Sequence, residues 1–413
     1  MSIRKRVWNT ESGEERSAYV VQYSTADRDE RGKRKRHIKT FDRKKDAEDF
    51  QAQVRIDVKK GIHTPQSKSI TVEDAGKLWI DSCGDLERSS VDQYQQHLKF
   101  HINPYLGALK LSALTVPVVR EWQDKLRKGV PAPGQGESEP RSAAMVKKVT
   151  TSLSSVLSDA MERGKVAHNV VRSMTADRRR KRKVERRQKT KLVVGRDIPT
   201  PDEIQALLKA VVEPRWRAFL LVAIRCGLRS SELRGLRWSD IDFKKSELHV
   251  RQRADRYGAI GNPKSEDSQR AVPIPPATLA ALQKWKPQAP KLEGRQHFVF
   301  PNGLGNIETH SNIIDRGLVP AWEQAGVTVP LVDALDEEGK PIVRAKYTGL
   351  HSLRHYFASW CLARPPVGLG LNLKEASTRL GHASIQITVD TYGHLLPRED
   401  QAAELAAAEG KWG

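Results

Sequence analysis

Arg229, Lys264, His351, Arg354, His382 and Tyr392 follow one another in the second half of this chain, each in a compact local context. The contexts are Cys226-Gly-Leu-Arg-Ser-Ser-Glu232, Asn262-Pro-Lys264, His351-Ser-Leu-Arg-His355, Leu380-Gly-His-Ala-Ser384 and Thr391-Tyr-Gly-His394. Two guanidiniums, an ammonium and imidazoles can hold one phosphate, and a phenol can attack it. The set suits transesterification at a phosphodiester. That reaction needs fixed cations for the extra charge of the transition state, an in-line nucleophile and a proton for the departing oxygen. Arginine suits the first task because its planar fork stays charged and can bond two phosphate oxygens. A free tyrosine has a pKa near 10, so bound cations must help it attack.

Taken singly, each residue has an ordinary reading. Arg229 follows Gly227 at the start of a helix, where unpaired backbone N–H groups also favour anions, and Glu232 shares its face. A lone arginine there would form a surface salt bridge. His351 and Arg354, three apart on a helix, look the same way, while Leu353, Tyr356, Phe357 and Trp360 can face a core. His355 reads as a packing or hydrogen-bonding residue. Gly381 permits a sharp turn that aims His382 inward, and Ser384 can cap the next helix. Lys264 lies in a turn before Ala271 to Ile274, among the neighbouring cations Arg253, Arg256 and Arg270. A single turn lysine is normally solvated, and a tyrosine at a helix end is often a core anchor.

The complete ordered set resembles the tyrosine recombinases, and within them the integrases of temperate phages and genomic islands. The string from Cys226 to Asp242 matches that family's first arginine motif, and His351-x-x-Arg354 followed by His355-Tyr-Phe-Ala358 matches its second. The resemblance implies that Arg229 and Arg354 clamp the scissile phosphate, with Glu232 as support. It gives His382 a hydrogen bond to that phosphate, His351 the tyrosine proton and Lys264 the proton for the leaving oxygen. Tyr392 would form a 3′-phosphotyrosyl link that stores the bond energy, so no cofactor, ATP or metal is implied. The implied function is integration and excision of a mobile element by a homotetramer on paired double-stranded DNA sites, with accessory bending and directionality proteins as further partners. A type IB topoisomerase and a non-catalytic DNA-binding regulator are the competing readings.

The elements that must position these residues fall into a multidomain chain. Residues 1–62 read as a small β-plus-α module, a three-stranded sheet with one helix. Tyr19 to Tyr23 and Arg36 to Phe41 form two strands, with a third near Arg4 to Trp8; Asp42 caps the helix. Residues 69–174 read as an all-α four-helix bundle, with Thr71 and Ser90 as caps and a flexible loop from Gly129 to Glu139. Residues 175–195 form a basic linker containing Arg178, Arg179, Arg180, Lys181, Arg182 and Lys183. Residues 196–413 read as a mainly helical α+β domain opening on the capping box Thr200-Pro-Asp-Glu203, with strands at Leu248 to Arg251, Ala271 to Ile274 and Phe298 to Phe300. Leu331 to Lys346 looks like an inserted exposed hairpin, and Gln401 to Glu409 like an amphipathic tail helix. By resemblance, the first module is an arm-type DNA-binding domain and the bundle a core-binding domain.

Composition agrees with a polyanionic partner. The 413 residues carry a formal charge of +21, and each phosphate neutralised by Lys or Arg releases counterions. The candidate DNA contacts are the linker run and the turn Lys33, Arg34, Lys35 and Arg36. Three scattered cysteines support neither a disulfide framework nor a zinc site. The start of the chain lacks a signal-peptide pattern, so a cytoplasmic, nucleoid-associated bacterial protein is expected.

Overall fold

The computed structural model describes residues 1–9, 15–28, 32–59, 69–174, 191–263, 268–291, 296–335, 338–339, 341–396 and 409. Lys264 and the run Arg178, Arg179, Arg180, Lys181, Arg182 and Lys183 lie outside the described residues. So do the side chains of Arg34 and Lys35 and the expected tail helix before Glu409. The chain divides into two compact units, Met1–Gln188 and Lys189–Gly413.

In the first unit, β1 (Ser2–Asn9), β2 (Glu15–Arg28) and β3 (Arg34–Phe41) form an antiparallel sheet in that order. Alternation along β2 sends Val21 and Tyr23 to one face, where Ala47 and Val54 of the Lys44–Lys59 helix cover them. Lys33 and Arg36 are exposed. A helical bundle follows, built from Val72–Asp81, Arg88–His97, Val116–Lys128 and Ala143–Glu162. Thr71 caps the first of these by accepting from the Asp74 N–H, as expected. Ser90 does not cap the second: that helix starts at Arg88, with Glu87 at the cap position and no side-chain capping bond. The helix continues through a π-turn at Leu98–Ile102 into Asn103–Leu106, which keeps Leu98, Ile102 and Leu106 on the core side. Trp122 fills that core and ties its ring N–H to the His101 carbonyl.

The second unit opens on the Pro201–Ala210 helix, held by the reciprocal Thr200–Glu203 capping box. The Pro214–Cys226 helix is the central one, with Ala218 to Ile224 and Cys226 all buried. Strands Ile241–Asp242, Glu247–Val250 and Arg270–Pro273 make a small antiparallel sheet. The strand expected at Phe298 to Phe300 is only a single bridge, Phe298 to Arg237, because that segment packs its apolar side chains without a ladder partner. The inserted segment is a hairpin, Thr328–Leu335 with Pro341–Ala345.

Three consecutive helices close the unit: His351–Leu362, Leu373–Leu380 and Ile385–Tyr392. The first belongs to two cores at once. Leu353 and Tyr356 join the large core with Phe219 and Trp322, while Phe357 and Cys361 pack with Leu380 and Tyr392. No helix among the described residues is long and apolar enough to cross a membrane.

Gly227 sets the contact between the central helix and this closing trio. It ends Pro214–Cys226 in the left-handed region at φ 62°, and a Cβ there would run into the Phe357 ring. Both the backbone and the packing oppose a side chain. Gly227→Ala is therefore expected to lower stability by about 2–4 kcal/mol. Urea unfolding of the full chain measures it, and a loss below about 0.5 kcal/mol would contradict this packing.

Candidate active site

The end of the Leu373–Leu380 helix organises the site. The last turn of any helix leaves carbonyls without intrahelical partners and carries partial negative charge. Here three successive carbonyls each receive a guanidinium. Arg270 Nε donates to the Arg379 carbonyl at 2.8 Å, Arg354 Nη2 to Leu380 at 2.6 Å and Arg229 Nη2 to Gly381 at 2.6 Å. The three arginines come from a strand, a helix and the residue before the short Ser230–Gly235 helix. Gly381 closes the helix at φ 63°, and a Cβ on it would sit 2.7 Å from Arg270 Nη1.

Glu232, only 2% exposed, sits between two of these cations. Its Oε1 accepts from Arg229 Nη1 at 2.6 Å, and its Oε2 from Arg270 Nη2 at 3.0 Å and the Arg229 backbone N–H at 2.9 Å. Burial alone would raise its pKa, but Arg270 first and Arg229 second hold it below the ordinary carboxylate value. Glu232 thus stays ionised and fixes both guanidiniums. Arg270 appeared in the sequence only as a neighbouring cation; its place beside Glu232 depends on a contact across 38 residues that no local motif announces.

Arg354 is 3% exposed and also donates Nη1 to the Gly227 carbonyl at 2.5 Å. Burial, and then repulsion from Arg229, push its pKa down to about 9, still charged at neutral pH. Arg229 is 27% exposed and faces the mouth of the site. Three crowded guanidiniums around one carboxylate leave an excess of positive charge, which is what an entering phosphate would neutralise.

Tyr392 ends the Ile385–Tyr392 helix and is 2% exposed. The next turn is anchored where His394 Nε2 donates to the Leu192 carbonyl at 2.7 Å. Burial pushes the Tyr392 phenol up to about 12, while Arg354 pulls the other way. The sequence expectation gave the tyrosine proton to His351. The contact is instead made by His355, whose Nδ1 lies 2.7 Å from Tyr392 Oη. Burial first, then His351 and Arg354, lower the His355 pKa to about 4. His351 stands edge-on to His355, ring centres 4.8 Å apart, with its outer side in solvent. Desolvation, then Arg354 and Arg229, lower its pKa too.

His382 leaves the Gly381 turn and lies parallel to the Tyr392 ring, centres 6.4 Å apart. Its Nδ1 shares a 2.8 Å hydrogen bond with the buried Thr388 hydroxyl. Burial, then Arg354 and Arg229, lower its pKa to about 4.

The structure therefore gathers Arg229, Glu232, His351, Arg354, His382 and Tyr392 around one site, together with Arg270 and His355. The described residues contain no group of three or more His, Cys, Asp or Glu side chains able to hold a metal.

Comparison with known proteins bears on what such a site belongs to. Residues 199–399 match the phage integrase family, and residues 71–127 match the phage integrase N-terminal SAM-like domain. The chain belongs to the tyrosine recombinase family. This recombinase is 26% identical over 392 residues to a tyrosine recombinase XerC-like protein of Caldanaerobacter subterraneus, covering 91% of this chain and 92% of that protein. Its fold is similar to the Tn1549 transposon integrase in complex with transposon right end DNA, at TM-score 0.61 and 18% identity, covering 83% of this chain and 100% of that one. It is also similar to a lambda integrase tetramer bound to a Holliday junction, at TM-score 0.52 and 18% identity, covering 92% and 95%.

Two expectations follow for the recombinase. Glu232→Ala leaves Arg270, itself 4% exposed, without its carboxylate. The loss is expected to reach about 3–5 kcal/mol in denaturant unfolding, and a loss under about 1 kcal/mol would mean the guanidiniums do not depend on Glu232. His355 and His382 both fall from 6.5 to about 4. Between these values the unfolded imidazoles take up protons that the folded ones refuse, so stability rises with pH across the window. The melting temperature of the full chain should drop as pH falls from about 6.5 toward 4.5 and level off above about 7. A Tm independent of pH there would place both imidazoles in water.

Proposed function

We propose that this tyrosine recombinase integrates and excises a mobile DNA element, cutting and rejoining each strand through a 3′-phosphotyrosyl link to Tyr392. One observation carries the reading: the buried phenol of Tyr392 stands beside His355 and the His382 ring, next to the helix end whose carbonyls hold Arg229 and Arg354. At a pKa of about 12, only about one phenol in 10⁵ is ionised at pH 7, so the free enzyme holds its nucleophile silent. A phosphodiester bound between Arg229 and Arg354 brings the electrophile to it. His351 and His382 add hydrogen bonds to the non-bridging oxygens. The phenol attacks in line, the 3′-phosphate becomes esterified to Tyr392, and Lys264 supplies the proton for the 5′-oxygen. Attack by a 5′-hydroxyl on the phosphotyrosine reverses the sequence, with no net loss of ester bonds and no cofactor.

The domain roles follow the same reading. Residues 1–62 serve as an arm-type DNA-binding domain, with Lys33, Arg34, Lys35 and Arg36 toward the phosphates. Residues 69–174 grip the core site, and residues 196–413 carry the catalysis. The linker 175–195, with Arg178, Arg179, Arg180, Lys181, Arg182 and Lys183, lies along DNA between them. The formal charge of +21 supports a double-stranded DNA partner, as do the DNA-bound transposon and phage integrases of similar fold. The lambda tetramer supports assembly as a homotetramer on paired sites. Accessory bending and directionality proteins and a bacterial cytoplasmic, nucleoid-associated setting complete the proposal.

The test is covalent trapping on a nicked duplex spanning the joined ends of the element that carries this gene. The unsubstituted protein should become linked to DNA, and Tyr392→Phe should bind that duplex within about twofold while forming no adduct. Arg354→Ala should slow adduct formation by about 10²–10³. Strand cutting by Tyr392→Phe would end the proposal. Relaxation of a plasmid lacking the site would point to a topoisomerase instead.

A further inference from the structure

We propose that His355 is a catalytic residue of this recombinase, accepting the Tyr392 phenolic proton as the phenol attacks the phosphate. The inference rests on the reading of Tyr392 as nucleophile and adds a base that neither the motif reading nor the comparisons assign. The geometry is direct: Nδ1 lies 2.7 Å from Tyr392 Oη, within range for proton transfer. His355 sits one residue after Arg354 and one helical turn after His351, so the helix that delivers a phosphate-binding guanidinium also delivers the acceptor. With Nδ1 as the unprotonated nitrogen, the phenol donates along the 2.7 Å contact.

The charged and titratable groups around the ring fit this role. Burial first, then the edge-on His351 and Arg354 from the same helix, keep the imidazole neutral and therefore able to accept. Tyr392 faces it from the Ile385–Tyr392 helix. Asp197, in the segment before the Pro201–Ala210 helix, acts in the opposite sense and favours the imidazolium once it forms. Asp197 is itself fixed by the Val193 N–H and Arg196.

The step balances. As the Oη–P bond forms, the Tyr392 O–H bond breaks and its proton passes to His355 Nδ1. The phenolic oxygen becomes strongly acidic as phosphorus bonds to it, so a weak base suffices. The P–O5′ bond breaks, and the departing oxygen takes its proton from a separate donor, the part proposed for Lys264. On rejoining, the imidazolium returns the proton to the Tyr392 phenolate as it leaves phosphorus.

Single-turnover cleavage by the full chain, on the nicked duplex spanning the joined element ends, tests this. His355→Ala should slow adduct formation by about 10² or more while leaving DNA affinity within about twofold. His355→Asn places a hydrogen-bond acceptor near the Nδ1 position but cannot take a proton, and it should remain as slow as His355→Ala. Recovery by His355→Asn to within about threefold of the unsubstituted rate would mean the ring only orients the phenol and would overturn the proposal. The unsubstituted rate should be flat between about pH 6 and 9, whereas the variants should gain about tenfold per pH unit as hydroxide replaces the base. Parallel profiles would also overturn it. A 5′-bridging phosphorothiolate, whose thiolate leaves without a proton, should not restore His355→Ala; restoration would move the ring to the leaving-group side. If the unsubstituted protein forms a Tyr392-dependent adduct and the His355 variants do so equally fast, this inference fails alone. If it forms none, the nucleophile reading fails and takes this one with it.

Discussion

Three guanidiniums fastened to the last carbonyls of one short helix are the constraint on which the rest of the site depends. Arg270, Arg354 and Arg229 bind the Arg379, Leu380 and Gly381 carbonyls in turn. Cations this close repel one another, and burial makes the repulsion stronger. The helix end offsets it with backbone oxygens that already need donors, and Glu232 offsets more with a buried charge. The arginines therefore cannot relax away when the site is empty. A phosphate entering such a site meets charge that is already aimed, which is the economical form of transition-state stabilisation.

The same helix end places the other half of the chemistry. Because Gly381 turns the chain in the left-handed region, His382 leaves the helix toward the site instead of continuing along the axis. Ser384 then starts the next helix by accepting from the Gln386 N–H, and that helix delivers Tyr392. Cations and phenol are thus coupled through a few residues of chain.

Much of this was legible in the sequence, and the part that was not has a physical reason. Arg229, Glu232, His351, Arg354, His382 and Tyr392 stand in short strings whose spacing announces them, and they converge in space. Caps at Thr71, Thr200 and Ser384 were readable because a cap is a local interaction. Arg270 and His355 were seen but not given their roles, since each is defined by a partner 38 or 37 residues away. The misplaced cap at Ser90 and the strand at Phe298 fail for the same reason. A serine inside a first turn resembles a cap, and an apolar triplet resembles a strand, until the surrounding packing decides.

The His351–Leu362 helix carries packing residues and polar residues of the site in one short stretch. Positions 351, 354 and 355 share one face and carry two imidazoles and a buried guanidinium. Leu353, Phe357 and Cys361 are interleaved with these positions and are fully buried in the two cores. A one-residue slip in one direction would put Leu353 in Arg354's place beside the other guanidiniums, and a slip in the other would put Arg354 in Leu353's place in hydrocarbon. The apolar residues between the polar ones therefore fix the register of the chemistry. In this helix the packing residues and the polar residues of the site are interleaved along one periodicity.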